Sequence, residues 1–143
     1  MRALLDVNVL VALLDGGHLH HRTATAWLAA HQRAGWASCP LTQNGCIRIL
    51  SLASYPNPQP PGAVAARLAA ALSGEQHAFW PDSLSLLAPG RLAWDQVLGS
   101  RQVTDAYLLA LAVELGGRLV TFDRGISIGV VPGAGKRHLV KLD

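Results

Sequence analysis

Three aspartates carry the chemistry that this sequence supports best. Asp6 follows the apolar run Ala3-Leu4-Leu5, Asp123 follows Leu119-Val120-Thr121-Phe122, and Asp105 opens the apolar repeat Ala106 to Ala112. Only nine Asp and Glu occur among 143 residues, so an acid that closes a buried apolar run stands out. Gathered at one place, such carboxylates would hold a hard divalent cation, Mg²⁺ or Mn²⁺, because oxygen ligands suit those ions. Two carboxylates about 5 Å apart repel by about 3 kcal/mol at an effective dielectric of 20. That is large beside a domain stability of roughly 5–15 kcal/mol, so a bare cluster calls for a cation or a proton. Each aspartate taken singly has a plainer use as a helix cap, favoured by the dipole and by unpaired amides. Three in one topology favour the metal.

The elements that would position them follow from periodicity and breakers. Arg2 to Val7 reads as a short buried strand and Asn8 to Leu14 as a buried helix. His20 to Ala34 repeats apolar residues at helical spacing up to a capping Gly35, and Trp36 to Ser38 reads as a second strand. Pro40 opens a helix with Leu41, Ile47 and Leu50 facing inward. Gly45 inside it costs roughly 1 kcal/mol relative to alanine, which implies a neighbour packed too close for a side chain. The proline-rich stretch Tyr55 to Gly62 is expected to be a surface loop, since each proline removes a donor and restricts its predecessor. Helical character resumes over Ala63 to Leu72, a strand is expected at His77 to Trp80, and Pro81-Asp82-Ser83 should begin a turn or helix. Val103 to Leu115 is the clearest amphipathic helix, ended by Gly116-Gly117, and strands are expected at Arg118 to Phe122 and His138 to Leu142. Alternating strands and helices predict an α/β sandwich around a mainly parallel sheet, in a single domain over residues 1–143. Ligand sites in such sheets lie beyond the carboxyl ends of the strands, where Asp6 and Asp123 fall.

Composition narrows the function classes. Half the residues are hydrophobic, enough for a real core, and no apolar segment reaches the length of a membrane span. Cys39 and Cys46 have neither a CxxC spacing nor a companion histidine pair, so neither a zinc site nor a disulfide framework is indicated, and a reducing cytoplasm is expected. A net charge of +3 permits a polyanionic partner without the basic tail of a dedicated nucleic-acid binder.

Four segments together are more specific: Leu4-Leu-Asp-Val-Asn-Val-Leu10, Pro40-Leu-Thr-Gln-Asn-Gly-Cys-Ile-Arg48, Asp105-Ala-Tyr-Leu-Leu-Ala-Leu-Ala112 and Leu119-Val-Thr-Phe-Asp-Arg-Gly125. In this order, and across nearly the whole chain, they resemble the PIN-domain toxins, the VapC partners of bacterial VapBC toxin-antitoxin pairs. The resemblance implies a PIN-like three-layer α/β/α sandwich and a Mg²⁺-dependent endoribonuclease that cleaves structured RNA to leave a 5′-phosphate and a 3′-hydroxyl. It also implies a homodimer and an inhibitory VapB-like antitoxin that reaches the active site. Carried over by position, the family's metal-binding acids fall on Asp6, Asp105 and Asp123, with Asp6 and Asp105 the leading ligands and Asp123 a ligand directly or through water. Thr121 and Asn8 could orient water or supporting groups, and serve equally well as plain strand-end and capping residues.

The fourth catalytic position departs from the pattern. The family usually has glutamate where Gln43 stands, so the expected catalytic set is Asp6, Gln43, Asp105 and Asp123. Glutamine keeps a carbonyl oxygen but cannot add negative charge or act as a carboxylate base. The expectation is less repulsion in the metal-free site, weaker cation affinity and lower activity; a natural departure and a substitution made to disarm a toxin would leave the same residue. The alternative function is accordingly a catalytically impaired PIN-fold protein that binds RNA or an antitoxin.

Other features weigh less. His18, His20 and His21 fall in a loop where solvated histidines outnumber ligands. Arg48, Arg101 and Arg124 could meet phosphates or an antitoxin carboxylate, while Trp27, Trp36, Trp80 and Trp94 read as core or interface. Asp15, Asp82 and Asp95 are assigned to turns or caps. Gly133-Ala-Gly-Lys136 is no phosphate-binding loop, because the first glycine of that motif falls on Val130 and Arg137 replaces its Ser or Thr. Asp6-Val-Asn8 lacks the second aspartate that aspartate-nucleophile phosphatases need.

Overall fold

A computed structural model describes residues 1–143. Five short strands, β1 (Ala3–Leu5), β2 (Trp36–Ser38), β3 (His77–Phe79), β4 (Arg118–Thr121) and β5 (Leu139–Lys141), form one sheet in the order β3-β2-β1-β4-β5. Every neighbouring pair is parallel, so the sheet is wholly rather than mainly so. Successive strands step one way from β1 to β3, and β4 and β5 lie on the other side of β1. The strand order therefore reverses between β1 and β4, the position where open α/β sheets leave a crevice.

Alternation along the central strands divides the core. Leu5 and Val120 face one side, with Val9 and Leu10 of α1 (Val7–Leu14), Ala24 of α2 (His21–His31), Cys46 and Leu50 of α3 (Pro40–Leu50), and Val64 and Leu68 of α4 (Pro61–Ala71). Leu4 and Leu119 face the other, under Leu108, Leu109 and Leu111 of α5 (Arg101–Glu114). The result is the expected three-layer α/β/α sandwich. Those three leucines are fully buried, and shortening any of them to alanine costs about 2–5 kcal/mol.

Two glycines show why no other residue fits. A Cβ on Gly45 would stand 2.7 Å from Val7 Cγ2, so α3 crosses the start of α1 at closest approach, as its position inside a helix implied. A Cβ on Gly117 would meet the Arg2 carbonyl oxygen at 2.5 Å and the Trp80 ring at 2.6 Å, where β4 enters beside β1.

Some boundaries differ from expectation. The proline-rich loop ends at Pro60, because Pro61 starts α4: at a first helical position its missing N–H is no loss. The helix expected over His20 to Ala34 is α-helical only from His21 to His31 and tightens into a 3₁₀ turn, Gln32–Ala34, before Gly35 at φ 77°. Pro81 to Ser83 forms a turn closed by Ser83 N donating to the Pro81 carbonyl, and no α-helix intervenes before α5. No helix is long and apolar enough to cross a membrane.

Candidate functional site

A cleft of about 350 Å³ opens at the carboxyl ends of β1 and β4, lined by Asp6, Asn8, Asn44, Arg48, Asp105 and Asp123 among others. Parallel pairing of Leu5 with Val120 brings the residues that follow each strand to the same edge, which is why acids 117 positions apart in sequence meet. α5 packs across β1 and β4 and brings Asp105, in its second helical turn, to the same edge.

Asp6 is nearly buried, and both its oxygens are engaged. Oδ1 accepts from Val7 N at 2.7 Å, capping α1, while Oδ2 accepts from Thr121 Oγ1 at 2.6 Å. The plainer use as a cap therefore holds for Asp6 together with its place in the cleft. Burial pushes its pKa up, partly offset by these two hydrogen bonds. Thr121 is fully buried and joins the strand ends: besides donating to Asp6, its Oγ1 accepts from Asp123 N at 2.9 Å and from Asn8 Nδ2 at 3.3 Å. Asn8 Oδ1 in turn accepts from Phe122 N at 3.2 Å. Asp123 Oδ1 accepts from Gly125 N at 2.7 Å, which fixes the loop after β4.

Asp105 caps nothing. Burial pushes its pKa up to about 7, helped by hydrogen-bonding contact with Asp123 and by the negative charge of Asp6 and Asp123. No three His, Cys, Asp or Glu side chains converge as a ready-made metal cluster. Asp105 and Asp123 are thus a pair in side-chain contact, with Asp6 in the same cleft and close enough for its charge to act on both, each of its oxygens accepting one hydrogen bond. Mg²⁺ commonly takes one or two carboxylates, several waters and substrate phosphate oxygens, so such a pair fits that ion without a third ligand.

The remaining sequence-derived candidates divide. Gln43 is not among the residues that line the cleft: its Nε2 donates to Ser38 Oγ at 2.9 Å, and Ser38 Oγ lies 2.8 Å from His77 Nε2. From α3 the cleft instead receives Asn44 and Arg48, one helical turn apart on one face. Arg48 was legible as a cation in a motif, whereas Asn44 was missed; its place beside Gly45, the closest approach to α1, was the available signal. The three histidines form no ligand set. His21 Nδ1 bonds the Ala12 carbonyl at 2.8 Å, His18 Nδ1 accepts from His20 N at 3.0 Å, and the His20 ring stacks on Phe122 at 4.6 Å. Trp36 and Trp80 are buried, Trp27 stacks on His31, and Trp94 is half exposed. Asp15 binds the Tyr55 hydroxyl, and Asp82 and Asp95 lie outside the cleft.

Residues 3–128 match the PIN domain family. The chain belongs to that family. It is 48% identical to Ribonuclease VapC44 of Mycobacterium tuberculosis over 142 residues, covering 99% of this chain and 100% of the relative. Among solved structures, the PIN fold seen here matches VapBC2 of Rickettsia felis, crystallised with a DNA fragment from its promoter, with a TM-score of 0.63 at 15% identity over the full length of both chains. It also matches VapC20 of M. tuberculosis, a toxin that cleaves the sarcin-ricin loop, with a TM-score of 0.59 at 16% identity over 91% of this chain and 99% of that one. The molecule is a PIN-domain protein related to the VapC ribonucleases.

Proposed function

We propose that this PIN domain is the Mg²⁺-dependent endoribonuclease toxin of a VapBC-type pair and cleaves structured RNA. The observation that carries this reading is the cleft that gathers Asp6, Asp105 and Asp123 at the carboxyl ends of β1 and β4, where burial, contact with Asp123 and the neighbouring negative charges raise the Asp105 pKa to about 7. A bound Mg²⁺ would supply a water of lowered pKa and charge neutralisation at the phosphate oxygens. Asp105 and Asp123 are the proposed direct ligands. Asp6, held by Thr121 and Val7, would support a bound ion from the same edge, directly or by orienting water. Arg48 and Asn44, on the opposite wall, hold the phosphodiester by charge-assisted and neutral hydrogen bonds. The domain that acts is the whole chain, since β5 lies beyond residue 128, completes the sheet and receives Leu142 N on the Thr121 carbonyl. Two free, buried cysteines suit a reducing cytoplasm, and by family the partners are a VapB-like antitoxin and a second copy of the chain.

Gln43 supports a second reading, in which the chain mainly binds RNA or antitoxin, because α3 delivers no carboxylate to the cleft. One experiment separates the two: Mg²⁺-dependent cleavage of total bacterial RNA by the unaltered chain, by Asp105→Asn and by Gln43→Glu. The nuclease reading expects cleavage that Asp105→Asn abolishes. Cleavage by Gln43→Glu alone would establish the impaired form, and none by any variant would defeat the nuclease assignment.

A further inference from the structure

Next to the acidic cleft lies an open groove of about 630 Å³ that no catalytic role accounts for. Arg124, Lys136 and Lys141 line it, with Gly125, Ile126 and Ser127 as its inner wall, and no Asp, Glu or aromatic side chain lines it. Both lysines of the chain are therefore in one place. The loop after β4 brings Arg124, the 3₁₀ turn Lys136–His138 brings Lys136, and the end of β5 brings Lys141. Lys141 Nζ donates to the Arg124 carbonyl at 3.0 Å, a contact that orients the ammonium without cancelling its charge. Lys136 makes no side-chain hydrogen bond; of the nearby acids, Asp143 is ion-paired to Arg124 at an exposed position and Asp123 is bonded to Gly125 N on the cleft side of the loop. The same three wall residues, Gly125 to Ser127, also line a small cavity with Asp105. Groove and cleft are thus two sides of one loop.

Resting on the nuclease reading above, we propose that this groove carries the single RNA strand on one side of the scissile bond, its backbone phosphates neutralised by Arg124, Lys136 and Lys141. Flexible cations along an open channel suit a polyanion read by charge; Ile126, Ile128 and Leu139 give the groove an apolar floor, and it offers no aromatic platform for bases. Continuity with Asp105 places that strand on the path of a substrate that reaches the cleft.

The test uses the full chain in EDTA, where turnover is prevented, with a fluorescein-labelled 20-nucleotide oligouridylate as probe and a 20-residue oligoglutamate as the competing polyanion. Affinity is measured by anisotropy over a range of salt. Lys136→Gln/Lys141→Gln, which keeps a donor toward the Arg124 carbonyl, should bind at least fivefold more weakly. Its slope of log K against log salt should be shallower by about 1.4, or roughly 0.7 per cation removed. Asp105→Asn should keep the slope of the unaltered chain. Should the double variant fail to fold by circular dichroism, Lys136→Gln alone decides, with an expected loss of about 0.7 in slope. Unchanged affinity and slope in the lysine variants overturns the groove, as does failure of the unaltered chain to bind the RNA. Tighter binding of oligoglutamate than of RNA, lost in the lysine variants, overturns it in favour of an acidic protein segment. Cleavage of total RNA with Mg²⁺ is scored separately: a lysine-dependent slope without any cleavage keeps the groove and removes the nuclease reading, and cleavage with an unchanged slope does the reverse.

Discussion

Asp123 and Arg124 are consecutive, yet one lines the acidic cleft and the other the basic groove. The cleft concentrates negative charge until a carboxyl retains its proton near neutral pH, and it is braced by buried donors from Thr121, Asn8 and the start of α1. The groove is open, its cations are exposed, and its hydrogen bonds to them are few. On the proposed reading the difference divides the work: chemistry needs fixed oxygens in a partly dry place, while a phosphate backbone needs mobile charge that water still reaches. Substitutions in the cleft should therefore change turnover and stability, and substitutions in the groove should change affinity and its salt dependence.

The largest effect is expected at the acidic pair. Asp105→Asn should lower Mg²⁺-dependent RNA cleavage by more than about 100-fold, beyond the 10–100-fold typical of groups that only position a ligand, with oligouridylate binding retained. Thr121→Val should fall within that 10–100-fold range, because it removes the donor to Asp6 and the acceptor for Asp123 N while keeping the shape. It should also cost about 1–3 kcal/mol of stability, measured by urea unfolding, since it leaves a buried carboxylate short of a partner. A loss of activity no greater than that of a groove variant would erase the contrast between the two sites.

A smaller effect concerns pH. Asp105 has a folded-state pKa near 7, above the ordinary carboxylate value, so between about pH 4 and 7 the unfolded chain gives up this proton first. Stability of the metal-free protein should accordingly fall as pH rises through that window and level off above it, with Asp6 contributing in the same direction. Asp105→Asn should flatten the dependence, as followed by thermal melting in EDTA, whereas the lysine variants of the groove should leave it alone.

The smallest change is expected at Gln43→Glu. The amide of Gln43 now donates to Ser38 Oγ, leaving the Ser38 proton free to reach His77 Nε2. A carboxylate at position 43 would take that proton and reverse the chain, favouring a charged His77. Burial now holds the His77 pKa below the ordinary value, helped by the nearby Arg2 charge, and the substitution should raise it, as read by NMR titration of the imidazole. An unchanged value would show that Gln43 is not coupled to His77.

Much of this was legible in sequence because parallel strands bring their carboxyl ends to one edge whatever lies between them. That rule puts Asp6 and Asp123 at one edge, while Asp105 joined them only through its place at the start of a helix and the family resemblance. The orientation of side chains on α3 was not legible. Helical position fixes a face only within a turn or so, and the approach of Gly45 to Val7 decides that Asn44 and Arg48 line the cleft while Gln43 bonds Ser38. Thr121 was expected to orient water or a supporting group, but not that it joins three partners, since a threonine that ends a strand looks the same with or without hydrogen bonds across it. The basic groove was invisible because Arg124, Lys136 and Lys141 come from separate elements that only the β4–β5 pairing brings together.

On the proposed reading, Asp105 keeps a proton beside Asp123 at the place where a divalent cation would bind. Calorimetric titration of the metal-free protein with Mg²⁺ at pH 6.5, in buffers of different ionisation enthalpy, tests it most directly. We predict that one ion binds, that about one proton is released per ion, that affinity rises with pH through about 7, and that Asp105→Asn abolishes both the proton release and most of the binding. Binding that releases no proton and is unchanged by Asp105→Asn would show that no cation displaces a proton at Asp105.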